Sequence, residues 1–345
     1  MKAVFIDEHG ELDKIKIGEL NTPKLNSNEV LINTKFGGLN HIDVFITQGW
    51  SGLNLSMPHI LGSDGSGIVK EIGSEVSLLS EGDRVTVNPG LSCGKCRYCL
   101  SGKQNFCKSF SIMGEHRWGT YAEYFKVPED NVLQITDGFS LEHAAAAPLT
   151  FLTAWRLLKT QADVQPDEFV LIHGAGGGVS TAAIQIAKYL GARVIATTSN
   201  EDKMKLAEKI GANHVINYKE NLNFAKQVYT DITKRQGVDV VVDSVGKETF
   251  QNSLRLLRPG GRLVTPGATT GPITEVDIRL IFWKQLKVIG STMSNQGEFR
   301  EVMTLVMEGK FEPVIDRIYP MDKILEAEQY LNRGEQFGKV LLKIS

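Results

Sequence analysis

The chain has 345 residues, enough for about two domains of ordinary size. Hydrophobic residues make up 42% and charged residues 23%, so two cores can be buried without staples. Lys and Arg total 38 against 40 Asp and Glu; the net charge of -2, with no like-charge block, leaves no basic footprint for nucleic acid.

The first apolar run is only Ala3 to Ile6, too short for the apolar region of a signal peptide. No stretch approaches the ~20 apolar residues a membrane helix needs. A cytoplasmic protein with no membrane partner is therefore expected. Residues 1–135 carry short strand-like runs broken by Gly, Asn and Pro, such as Glu29 to Ile32, Gly67 to Val69 and Arg84 to Val87. They hold no long amphipathic helix. This pattern predicts an antiparallel, barrel-like β domain.

Within that domain Cys93, Cys96, Cys99 and Cys107 form one cluster and are the only cysteines of the chain. A disulfide framework spreads its cysteines; a cluster points to metal and to a reducing compartment. Four thiolates close a tetrahedral shell around zinc and leave no position for substrate, so the expected ion is one structural zinc per chain. An iron–sulfur or redox site is the alternative, although its usual spacings differ.

Near residue 141 the texture changes. Leu141 to Leu158 is Ala-rich and helical in character, interrupted by Pro148. Strands and helices then alternate, with strands expected at Phe169 to Ile172, Arg193 to Ala196, His214 to Tyr218, Val238 to Val242 and Arg262 to Val264. Such alternation implies a parallel sheet covered by helices. The expected class is α/β. Beyond about residue 290 the alternation weakens, and a terminal strand, Lys339 to Ile344, is consistent with a tail that returns to the first domain.

The stretch from Phe169 to Ser180 is a strand, a glycine-rich turn and a helix start. Gly174 permits the tight turn, and Gly177 lets the backbone approach a pyrophosphate at the helix N-terminus. The end of the next strand selects the cofactor. NAD enzymes usually place an acid there for the ribose 2′-hydroxyl; here stand Thr197, Thr198, Ser199 and Asn200. Hydroxyls can donate to a 2′-phosphate, and Lys203 adds positive charge nearby. Glu201 and Asp202 are read as first-turn residues favoured by the helix dipole. NADP(H) is the expected cofactor.

These pieces together resemble the zinc-type medium-chain dehydrogenase/reductases, a family that includes alcohol dehydrogenases and quinone oxidoreductases. The resemblance rests on Gly62 to Val69, Glu81 to Val85, the cysteine lobe, Gly119 to Glu123, the glycine turn, Val238 to Asp243 and Pro259 to Arg262. It implies a GroES-like β-barrel domain at 1–148 and 292–345, a Rossmann doubly wound parallel-sheet NADP-binding domain at 149–291, and a homodimer or homotetramer. It also implies cofactor contacts at Thr153, Gly174, Gly176, Gly177, Val179, Thr198, Ser199, Lys203, Tyr218 and Gly267.

The chain departs from the zinc-type pattern where a catalytic zinc would bind. The three ligand positions match Asn40, Ser63 and Leu149, none of which replaces Cys or His at zinc. His41, Asp43 and Asp64 are the donors left for a different site. The pattern Asn40-His-Ile-Asp43 instead resembles quinone oxidoreductases and alkene reductases of the family. The expected enzyme is an NADPH-dependent reductase of enones, enoyl-CoA esters such as acryloyl-CoA, or quinones. In that reading Asn40 is the catalytic residue that donates to the oxygen where charge develops. The alternatives are an NADP-dependent alcohol dehydrogenase with an atypical metal site and a non-catalytic NADPH sensor.

Overall fold

The computed structural model describes residues 1–345 and divides into two compact units. Met1–Leu152 and Ser294–Ser345 form one, and Thr153–Met293 the other. The tail is thus part of the first unit. The joints stand after residues 152 and 293, where the sequence set them after 148 and 291.

The first unit is built on the ten-residue strand Glu29–Gly38, whose partners change along its length. Residues 29–33 pair with Tyr124–Pro128, and residues 36–38 pair with the tail strand Lys339–Lys343. Asp64–Ile72 runs along the other edge, followed outward by Arg84–Val87 and Val132–Gln134. Beyond the tail strand lies Ile315–Pro320, the one parallel pairing in this unit. A smaller sheet joins Lys2–Ile6 to Lys16–Glu19 and His59–Ile60.

The period-two pattern of these strands separates the cores. Val30 and Ile32 pack with Val69, Val85 and Val127. On the tail strand Val340 and Leu342 join Leu39, Ile46 and Tyr121, while Leu341 packs on Phe36, Ala145 and Ala146. Lys339 is therefore carried inward with the same strand. A two-turn helix, His41–Gln48, follows Asn40; it is too short for its periodicity to stand out in the sequence. The Asn40 N–H donates to Asp43 Oδ2 at 2.9 Å, and Asp43 N–H donates to the Asn40 carbonyl at 3.0 Å, which closes the first turn.

The second unit is a six-stranded parallel sheet. Across it stand His214–Asn217, Arg193–Thr198, Phe169–Ile172, Val238–Val242, Leu257–Thr265 and Lys287–Gly290. In chain order this is 3-2-1-4-5-6, the doubly wound arrangement. The strands are continuous apolar runs because both faces are covered, by helices such as Gly178–Tyr189 and Phe250–Leu256. Strand order reverses between Phe169–Ile172 and Val238–Val242, and ligands of such sheets bind outside the carboxyl ends at that point. No helix of the chain is long and apolar enough to cross a membrane.

Candidate functional site

The glycine turn sits at this reversal point. Gly174 has φ +65°, a conformation that glycine adopts without strain. Gly177 is different: its φ is -75°, and an added Cβ would come no closer than 3.5 Å to any protein atom. A Cβ on Gly267 would meet nothing within 4 Å. Neither backbone strain nor protein packing requires glycine at these two positions, which fits an external group lying close to the backbone. Gly176 is buried in the turn and Val179 stands half-buried in the first turn of the following helix. Thr153 is buried in the helix Pro148–Trp155.

A buried polar chain braces the turn. Ser253 Oγ donates to Asp243 Oδ2 at 2.7 Å, so it accepts from His173 Nε2 at 3.0 Å. His173 Nδ1 then accepts from Thr197 Oγ1 at 3.3 Å, and the same hydroxyl accepts from Gly174 N–H at 3.3 Å. Asp243 Oδ1 receives Val245 N–H and Gly246 N–H, each at 3.0 Å, and the Thr249 hydroxyl. Burial pushes the His173 pKa down, against the pull of Asp243, so the ring stays neutral and serves as one donor and one acceptor. His173, Ser253 and Thr249 had no place in the sequence reading. The signal available was a polar His between an apolar strand and the glycine turn.

The second strand ends at Thr198, whose carbonyl accepts from Tyr218 N–H at 2.9 Å. Ser199 is half-buried, and Asn200 caps the next helix by accepting from Lys203 N–H at 2.9 Å. Thr198 and Lys203 are buried, while Tyr218 is partly exposed. Glu201 and Asp202 are exposed in the first turn of that helix, as their helix-dipole reading requires. Strand pairing and the short connection thus bring Thr198, Ser199, Lys203 and Tyr218 to the same end of the sheet.

The four cysteine sulfurs lie within 4.8 Å of one another. Separations of 3.5, 3.6 and 3.9 Å join Cys107 to Cys93, Cys96 to Cys99 and Cys93 to Cys99. A tetrahedron with Zn–S bonds of about 2.3 Å has edges of about 3.8 Å. The quartet therefore fits one zinc ion, and is too tight for a cluster that interposes several irons. Backbone N–H groups of Lys95 and Cys96 pull the Cys93 thiol down to about 6, which favours the thiolate a metal takes.

Asn40 lies in the first unit inside a second polar cluster. Lys339 Nζ donates to Asn40 Oδ1 at 2.7 Å, to the Leu39 carbonyl at 2.7 Å and to Asp64 Oδ2 at 2.8 Å. Lysine has no acceptor, so the Asn40 oxygen must face it. The amide nitrogen then faces two acceptors, Gly38 O and Asp64 Oδ2, both at 3.0 Å. This corrects the donor role expected of Asn40: both amide hydrogens are committed within the protein. The reason is a cation that arrives from the far end of the chain.

Asp64 Oδ1 accepts from Leu149 N–H at 2.8 Å, while Ser63 Oγ donates to Met113 O. The three positions where a catalytic zinc was sought thus hold no ligand set. His41, Asp43 and Asp64 do not converge either; the cysteine quartet is the one group of such side chains that does. Asp43 is turned toward Tyr121, whose hydroxyl lies 2.8 Å from Oδ2, and burial raises its pKa to about 6. Burial also lowers the His41 pKa, helped by Lys339, so this ring is neutral at pH 7 and carries no spare proton. Glu328 is fully buried with no hydrogen-bond partner at either carboxyl oxygen. Burial first, then the charge of Asp43, pushes its pKa well above the carboxylic range.

The family model described as "Alcohol dehydrogenase GroES-like domain" matches residues 26–137, and "Zinc-binding dehydrogenase" matches residues 178–308. A zinc-type alcohol dehydrogenase-like protein of Schizosaccharomyces pombe is 32% identical over 100% of this chain and 99% of its own. Acryloyl-coenzyme A reductase of Sulfurisphaera tokodaii is 30% identical over 99% of this chain and 100% of its own. A crystal structure titled NAD-dependent alcohol dehydrogenase superposes with TM-score 0.96 at 40% identity, covering 100% of both chains. With a GroES-like unit, a Rossmann-type sheet and likeness along the whole chain, the protein belongs to the medium-chain dehydrogenase/reductase family, as an NAD(P)-linked oxidoreductase.

Proposed function

We propose that this oxidoreductase uses NADPH to reduce an activated carbon–carbon double bond or a quinone, without a catalytic metal. The observation that carries the reading is the donor set at residues 40, 63, 64 and 149: an amide, a hydroxyl, a lysine-paired carboxylate and a leucine side chain in place of zinc ligands. Without a Lewis acid, polarising a simple alcohol or aldehyde oxygen is hard, whereas a conjugated carbonyl or quinone is already electron-poor. The likeness to an acryloyl-coenzyme A reductase supports the same direction.

NADPH supplies the hydride when bound. Thr198, Ser199, Lys203 and Tyr218 hold its 2′-phosphate by charge and hydrogen bonds. Gly176, Gly177, Val179 and the helix N-terminus at Gly178 receive the pyrophosphate, and Thr153, Gly174 and Gly267 complete the contacts. That hydride would go to the carbon β to the carbonyl, and a proton from solvent would complete the alkene reduction at the α carbon.

Cys93, Cys96, Cys99 and Cys107 hold one structural zinc in this reading. A homodimer is proposed as well: Lys287–Gly290 is an edge strand, and Ile278, Phe282 and Trp283 beside it are 68%, 61% and 82% exposed. A monomer by light scattering overturns that part.

A second reading, oxidation of an alcohol, is favoured by the 40% identity to the structure titled NAD-dependent alcohol dehydrogenase. The test is to follow loss of NADPH with enones, enoyl-CoA esters and quinones, beside alcohols with NAD and NADP, and to count zinc. Reduction of one acceptor class with one zinc per chain supports the first reading. Alcohol turnover with two zinc ions overturns it.

A further inference from the structure

Two apolar cores approach each other in the first unit without filling the space between them. One holds Leu91, Met113 and Phe125; the other, at the smaller sheet, holds Ile60 with Trp118 packed against it. These side chains form the apolar wall of a cavity of about 330 Å³. That volume stands at the low end for small-molecule sites, about 300–1,000 Å³, and suits one ring or one short branched chain. An apolar wall of this kind takes apolar guests by removing their surface from water.

Three charged side chains also line the cavity. Two of them cancel: Lys126 Nζ donates to Glu29 Oε2 at 2.7 Å and to the Lys24 carbonyl at 2.9 Å. Arg117 is exposed, and it is the one without a partner, since its guanidinium makes no hydrogen bond or ion pair within the chain. Its backbone is nevertheless fixed. The Arg117 carbonyl accepts from Gly114 N–H at 2.9 Å, and Met113 N–H donates to the Pro89 carbonyl at 3.0 Å. The neighbouring indole is pinned as well, with Trp118 Nε1 donating to the Pro58 carbonyl at 2.9 Å. A rigid turn thus holds one uncompensated cation at the rim of an apolar cavity.

We propose that this cavity binds small monocarboxylic acids that carry one aromatic ring or one branched alkyl group. The apolar group fills the cavity, and the carboxylate pairs with the fork of the Arg117 guanidinium. An exposed ion pair alone contributes little, so the apolar group carries the affinity and Arg117 selects the acid. The site shares no residue with the Asn40 cluster or the glycine turn, and it does not rest on the proposed reduction.

The test is calorimetric titration of the full chain with phenylacetate, phenylacetamide and acetate, in wild type, Arg117→Gln and Trp118→Leu, with melting temperatures as a check of folding. Wild type is expected to bind phenylacetate, to bind the uncharged amide roughly 10-fold more weakly, and not to bind acetate. Arg117→Gln weakens phenylacetate by the same factor, the low end for a charge-assisted bond, and leaves the amide unchanged. Trp118→Leu weakens acid and amide alike. Saturating NADPH leaves the phenylacetate affinity of wild type unchanged. The proposal is overturned by a wild type that does not bind phenylacetate, by acetate binding as tightly as phenylacetate, or by displacement of phenylacetate by NADPH. An Arg117→Gln variant that treats acid and amide as wild type does also overturns it. If Trp118→Leu fails to fold, Arg117→Gln decides, because it alters an exposed side chain that holds nothing else in place.

Discussion

Lys339 Nζ lies 2.7 Å from Asn40 Oδ1, although 299 positions separate the two residues in the chain. The contact fixes which atom of the amide faces which neighbour, and so removes Asn40 from the list of free donors. It also makes the C-terminal strand a participant in the site.

Glu328 gives a prediction in pH. Its pKa is raised in the folded state, so its contribution to stability is full below the unfolded value near 4.5 and is lost as pH rises toward the folded value. Glu328→Gln removes that loss. The variant is expected to match wild type at pH 5 and to be the more stable protein at pH 8, by roughly 1 kcal/mol per pH unit over which the wild-type carboxyl stays protonated. Urea unfolding at the two pH values measures it; a variant less stable than wild type at pH 8 refutes it.

Lys203→Ala separates NADPH from NADH. A charge-assisted hydrogen bond contributes about 1.5–3 kcal/mol, so NADPH affinity falls roughly 10- to 100-fold while NADH affinity hardly moves. Thr198→Asp acts more strongly in the same direction, by repelling the 2′-phosphate. Fluorescence titration with both nucleotides checks the ratio; an unchanged ratio in both variants removes the basis for assigning NADP.

His173→Leu cuts the chain from Thr197 to Asp243. It leaves Ser253 and Thr197 with unmatched buried groups, at a cost of about 1–3 kcal/mol each if no water enters. We expect earlier melting and weaker binding of both NADPH and NADH, since the whole turn loosens and the 2′-phosphate contacts do not. Selective loss of NADPH alone contradicts the bracing role.

Cys96→Ser opens the zinc shell. Elemental analysis should show less than one zinc per chain, with a lower melting temperature, while nucleotide affinity of the second unit is retained. Zinc held at full stoichiometry by the variant contradicts a four-thiolate site.

The nucleotide half of this molecule was legible because its signals are local. The run Phe169 to Ile172, the turn at Gly174 and the helix from Gly178 lie within one stretch, and each obeys a short-range rule. The cysteine quartet was legible for the same reason. The Asn40 cluster was not. Its members come from residues 38–43, 64, 121, 149, 328 and 339, and no periodicity links them. Asn40 followed by Asp43 did carry a local sign of a helix start, which marks the helix His41–Gln48. That sign says nothing of Lys339, which in sequence is only the first residue of a terminal strand.

The tail strand has a consequence for how the molecule is made. Residues 36–38 pair on one side with residues 64–66, but their other side finds its partner only when residues 341–343 exist, and Thr153–Met293 lies between them in the chain as a contiguous unit. On a growing chain the nucleotide-binding sheet can fold first and alone, while the β unit holds an unpaired edge through the synthesis of everything that follows. The exposed edge at Phe36 to Gly38 is thus the segment most in need of protection before the chain is finished, and the same event that covers it delivers Lys339.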